Sequence, residues 1–139
     1  MNWSVGAIVL YSIFVTSILI YVPFLAVGYA RFQIGYNRSS PRAMLEKLPP
    51  YGQRATWAHQ NAFETFMIYA SAASIAYVTG VDSALASYAA ITFVVARLLY
   101  SFFYIVNLPL GRSLMFATGQ LCTYCLFVLS FLEIQSTVQ

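Results

Sequence analysis

The first thirty residues carry no charged side chain, and the apolar run from Val5 to Ala30 is long enough to cross a bilayer, because about 20 residues suffice. Three more apolar runs follow: Ala55 to Val78, Ala84 to Val106 and Arg112 to Leu132. Inside lipid the backbone must bond to itself, so only helices or closed barrels can span. Runs of this length fit helices. The chain is 60% hydrophobic and 8% charged, against about 25% charged in soluble domains. With a mean hydropathy of +0.72, it has too little polar surface to coat a water-soluble globule. The reading is an all-α integral membrane protein, a bundle of four transmembrane helices forming one domain over residues 1–139. The helices are placed at about 4–31, 53–79, 83–106 and 112–133, with a polar loop at 32–52. The first run lacks the basic start of a secretory signal and exceeds its apolar region of roughly 7–15 residues, so it reads as a span that is kept.

Local signals sharpen these limits. Pro23 removes a helix donor and predicts a kink or loosening near Leu19. Gly80 suits a helix end, and Asp82 or Ser83 suits the next N-cap, making spans two and three a tight antiparallel pair. A short amphipathic turn is expected over Arg42–Leu48, and Asn107-Leu-Pro-Leu-Gly111 reads as a second turn. Five of the seven basic residues, Arg31, Arg38, Arg42, Lys47 and Arg54, flank the first loop, and Arg112 lies at the third. The second loop holds Asp82 instead. The positive-inside rule places loops one and three in the cytoplasm and both termini on the opposite side. Because the basic residues cluster at loops, the net charge of +3 does not point to nucleic acid.

Polar residues within the spans mark where to look for function, because an ionisable group in lipid is costly unless paired or facing a cavity. Arg54, Trp57, Asn61, Glu64 and Ile68 fall within roughly 80° of one another on a helix. Arg97, Tyr100 and Tyr104 share a face at spacings of three and four. At 1.5 Å per residue, Glu64 lies about 15 Å beyond Arg54, and Arg97 roughly 14 Å from the same end. Glu64 and Arg97 are therefore expected at one depth, with Tyr100, Tyr104, Arg112, Ser113 and Arg31 between them and the cytoplasm. A basic, tyrosine-lined cavity of this kind suits a small anion with several carboxylates and a reactive thiol. Arginine clamps carboxylates, and nearby positive charge favours a thiolate. A bland reading is a Glu64–Arg97 pair that fastens two helices. His59 reads as a packing histidine with no metal-ligand spacing around it. Cys122 and Cys125 read as soft residues of a membrane helix.

Two of these stretches resemble motifs of the MAPEG family, the membrane-associated proteins in eicosanoid and glutathione metabolism. Arg54-Ala-x-x-Ala-His-Gln-Asn-x-x-Glu64 is similar to the family's second-helix motif. Ala96-Arg97-Leu-Leu-Tyr100-x-x-x-Tyr104, followed by Leu110-Gly-Arg112-Ser113, is similar to its third-helix and turn motif. The resemblance implies a homotrimer of four-helix subunits that binds glutathione as co-substrate between neighbours. It implies glutathione-binding roles for Arg31, Arg54, Gln60, Asn61, Glu64, Arg97, Tyr100 and Tyr104. Arg112 is implied to stabilise the thiolate, with Ser113 assisting. The second reactant it implies is a lipophilic electrophile or lipid hydroperoxide arriving from the membrane lipid. Trp57 and Gln60 stand where some glutathione-using members carry arginine. The compact loops and short C-terminus look like those of bacterial members, which implies a bacterial inner membrane, or an endomembrane in a eukaryote. The rival reading is a non-catalytic membrane binding or scaffold protein on the same bundle, in which small residues such as Ala70, Ser71, Ala72, Ala73 and Ser74 let helices approach closely.

Overall fold

The computed structural model describes residues 4–138. Residues 1–3 and 139, the two ends of the domain read from the sequence, lie outside the described residues. The described chain is helical throughout, with α1 (Val5–Leu19), α2 (Val22–Gln33), a 3-10 helix (Pro41–Lys47), α3 (Pro50–Val78), α4 (Ala84–Ile105) and α5 (Pro109–Val138). The first span is thus two helices, and the described residues form five α-helices where the sequence reading has four. The physical cause is Pro23, which lacks the N–H that would continue the ladder to Leu19. At the break, the Tyr21 N–H turns back to the Ile18 carbonyl. Taken together the stretch Val5–Gln33 is long and apolar enough to cross a membrane, as are Ala84–Ile105 and Pro109–Thr137. The 29-residue α3 is just as long but carries Gln53, Arg54, His59, Gln60, Asn61 and Glu64 in its first half.

Other boundaries shift for local reasons. α3 starts at Pro50, three residues before the expected Gln53, because proline fits the first helical position. α5 starts at Pro109 for the same reason, so the expected turn Asn107–Gly111 shrinks to residues 106–108. Both antiparallel turns close with the same device. After α3, the Gly80 N–H reaches the Tyr77 carbonyl and the Val81 N–H reaches Ala76. After α4, the Asn107 N–H reaches Tyr104 and the Leu108 N–H reaches Phe103. These are paired C-terminal caps that need a left-handed residue at their centre, supplied by Gly80 at φ 75° and Asn107 at φ 62°. Ser83 caps α4 by accepting from the Leu85 N–H.

α3 packs against α1, α2, α4 and α5, and its inward face is small: Gly52, Ala55, Ala58, Ala62, Thr65, Ala72, Ala73 and Ala76 are buried. The facing side of α4 buries Ala86, Ala89, Ala90 and Ala96. Small side chains let helix backbones approach when lipid removes the hydrophobic drive for association. The large apolar residues Phe14, Leu25, Met67, Val78, Leu121 and Phe131 instead lie on the outside, as a bilayer-facing surface requires. At the centre the fully buried Tyr69 stacks on Phe93 with ring centroids 3.5 Å apart. Its hydroxyl bonds to Ser12 of α1, so one side chain ties α1, α3 and α4 together.

Candidate functional site

The polar groups gather where α4 ends and α5 begins. Arg97, Tyr100 and Tyr104 recur at three and four residues along α4 and so face one way. The short 106–108 turn returns the chain at once, and Gly111 lets α5 close on α4: a Cβ there would sit 2.9 Å from the Phe103 ring. Arg112 consequently lies one turn inside α5 instead of at its mouth. Its Cζ rests 4.6 Å from the centre of the Tyr104 ring. Tyr104 meets Tyr100 edge to face, with centroids 5.5 Å apart. Tyr100 in turn lies under the Arg97 guanidinium, 4.2 Å from its Cζ. The Arg97 Nη2–H then donates to Asn61 Oδ1 of α3 at 3.0 Å. A cation caps each end of a ring pair, and each cation lies within the roughly 6 Å over which a ring face attracts it.

Tyr100, Tyr104, Arg112, Ser113 and Phe116 line a cavity of about 270 Å³ beside this series. Its wall offers one guanidinium, two phenols and a hydroxyl against aromatic faces. Such a set can bind an anion at one end and an apolar group at the other. Phe116 was not anticipated from the sequence, although its i+4 spacing from Arg112 is the signal that finds it.

The remaining candidates are dispersed. The Arg54 Nε–H donates to the Ile105 carbonyl at 3.0 Å. It thus neutralises the negative end of α4 and locks the start of α3 to the α4–α5 turn. Arg31 belongs to a separate cavity of about 270 Å³ with Phe24, Gly28, Phe32 and Tyr36. Its Nε is buried without a hydrogen-bond partner among the described residues. Gln60 and Glu64 are exposed on α3, and the stripe expected to face inward from Arg54 to Ile68 is split: Arg54 and Asn61 are half-buried and bonded to α4, while Trp57, Glu64 and Ile68 are exposed. Within it Trp57 and Ile68 are 42% and 47% exposed. The alanine face takes the inside because it packs closer. Arg97 bonds to Asn61, not to Glu64 as the bland reading has it. His59 serves the fold, since its Nδ1–H donates to the Ile20 carbonyl at 2.7 Å, at the break between α1 and α2. Its ring packs against Phe24 and Phe63. Cys122 and Cys125 are both free thiols.

No curated protein and no solved structure matches the chain. The MAPEG family model matches residues 8–132, nearly the whole length. Together with the paired α3 and α4–α5 motifs, this makes the chain a member of the MAPEG family, which includes glutathione-dependent transferases and peroxidases.

Proposed function

We propose that this protein is a membrane-embedded, glutathione-dependent transferase or peroxidase acting on lipophilic electrophiles or lipid hydroperoxides. The observation that carries the reading is the Arg112-Tyr104-Tyr100-Arg97-Asn61 series along a half-polar cavity in an otherwise apolar chain. Polar groups at membrane depth are costly to keep without a use. The Arg112 guanidinium supplies positive charge where a thiolate would otherwise be unstable, and the Ser113 hydroxyl can donate to the same sulfur. The thiolate attacks an electrophilic carbon to form a C–S bond while the leaving group, such as chloride, departs, or it attacks the distal oxygen of a hydroperoxide, breaking the O–O bond to release the alcohol and leave a sulfenic acid that a second glutathione converts to the disulfide and water. Phe116 and the outer face of α5 offer the lipophilic reactant an approach from the bilayer. Holding the two reactants together supplies much of the rate.

In the same reading the protein acts as a homotrimer whose subunits complete one another's sites. A cavity of about 270 Å³ is slightly below the usual ligand-pocket range of roughly 300–1,000 Å³, as expected of one wall of a larger cleft. Glu64 lies roughly 21 Å along α3, exposed where acyl chains would otherwise meet its carboxylate. A second copy covering that face relieves this cost and brings Gln60 and Glu64 to a neighbour's cavity. The loop bearing Arg38, Arg42 and Lys47 lies on the cytoplasmic side by the positive-inside rule.

The test is glutathione binding and conjugation to 1-chloro-2,4-dinitrobenzene by detergent-purified protein, beside Glu64→Gln and Arg112→Ala. Saturable binding that weakens in Glu64→Gln, with turnover lost in Arg112→Ala, is the expected result. An intact trimer with neither binding nor turnover overturns the enzyme reading in favour of the scaffold.

A further inference from the structure

α2 carries a notch on its outer face. Phe24, Gly28 and Phe32 recur every fourth residue and so lie along one side of the helix. All three are exposed. The middle position has no side chain, and a Cβ added there would meet nothing within 4 Å. This gap belongs to the cavity of about 270 Å³ that the three residues line with Arg31 and Tyr36. Its walls are aromatic, and its polar side-chain groups are one guanidinium and one phenol.

Arg31 is short of partners in this place. It is half-buried, and its Nε–H is enclosed without a hydrogen-bond partner among the described residues. Its Cζ is 5.6 Å from the centre of the Phe24 ring, near the limit of roughly 6 Å for a cation–π contact. Neither α2 nor the cavity lining holds an acidic residue. A partly desolvated cation left in this way favours an anion. A bare anion would satisfy the guanidinium and leave the ring-lined notch empty, whereas a purely apolar ligand would do the reverse. A phospholipid has both parts. We infer that the α2 notch binds an anionic bilayer phospholipid: the Arg31 fork holds the phosphate, and one acyl chain lies over Gly28 between Phe24 and Phe32. Arg38, Arg42 and Lys47 on the following loop put this end of α2 at the cytoplasmic leaflet surface by the positive-inside rule, where anionic headgroups attract such residues. A zwitterionic headgroup carries its own cation beside the phosphate and gains less. The site lies apart from the Arg112 cavity and is independent of the glutathione reading.

The experiment counts lipid retained by the detergent-purified protein in native mass spectrometry. Phosphatidylglycerol and phosphatidylcholine of identical acyl chains are the probes, and inorganic phosphate and glutathione are the competitors. Wild type is expected to retain phosphatidylglycerol about tenfold better, the scale of a charge-assisted contact. Arg31→Gln should bring the two lipids level. Gly28→Leu fills the notch at a position with room for a side chain and should weaken both lipids alike. Arg38→Gln, the same loss of charge on the exposed loop, should keep the preference. Equal retention by wild type overturns the inference, as does a preference that survives in folded Arg31→Gln. A preference lost equally in Arg38→Gln shows a diffuse surface field instead of a site. Displacement of phosphatidylglycerol by inorganic phosphate or by glutathione shows a site for free anions and likewise overturns it. If Arg31→Gln does not fold, Gly28→Leu decides: undiminished lipid there refutes the notch.

Discussion

Gly52 sits where α2 and α3 approach closely, and adding one methyl there has a calculable outcome. A Cβ at Gly52 would sit 2.8 Å from the Ala30 Cβ and 3.3 Å from the Leu48 Cβ. Carbon atoms prefer about 3.5–4.0 Å, and both neighbours are rooted on backbone, so neither can swing aside. The helices must part by roughly 1 Å to restore that spacing, which loosens the cluster of Val27, Ala30, Leu48 and Ala55. Overpacking of this kind costs about 1–3 kcal/mol, and alanine returns at most about 1 kcal/mol of helix propensity. Gly52→Ala should therefore be destabilised by up to about 2 kcal/mol. Gly119 is the internal control. A Cβ there meets Arg97 and Phe93 atoms at 3.7 Å, an ordinary contact, so Gly119→Ala should keep most of the propensity gain and be stabilised. The assay is thermal unfolding in one detergent, followed by far-ultraviolet circular dichroism. A Gly52→Ala protein that melts at or above wild type, or two variants that shift together, would refute the packing argument.

Arg112→Ala should lower conjugation by about 10²–10³-fold, the cost of removing one preorganised stabilising group, with a smaller loss in Arg112→Lys; steady-state turnover measures both. His59→Phe keeps the aromatic packing but orphans the Ile20 carbonyl, so it should cost about 1–3 kcal/mol in thermal unfolding with little effect on turnover per folded protein. Tyr69→Phe removes only the hydroxyl bonded to Ser12 and should cost about 0.5–1.5 kcal/mol, read the same way. The double change Cys122→Ser with Cys125→Ser should leave glutathione-dependent turnover intact; a loss of turnover under matched stability would show a redox role for the pair.

Much of this architecture is written in short-range signals. Apolar runs set roughly where the long helical stretches fall. Pro23 placed the break after Leu19, Gly80 and Ser83 marked the turn between α3 and α4, and the i, i+3, i+7 spacing aligned Arg97, Tyr100 and Tyr104. Each of these depends on a residue's own backbone or on neighbours within two turns, which is why sequence alone determined them. The rotation of α3 was a different matter. Its polar stripe was legible, but where the stripe points was not, because lipid and bundle interior are both apolar and polarity cannot tell them apart. Side-chain size decided it: the alanine face took the close-packed interior and left Trp57, Gln60 and Glu64 outside. Arg97 meeting Asn61, thirty-six residues away, follows from that rotation, and Arg31 lies in a cavity apart from Arg112 that α2 and the loop after it line. Only the packed tertiary structure could decide them, because they depend on how near two backbones can come.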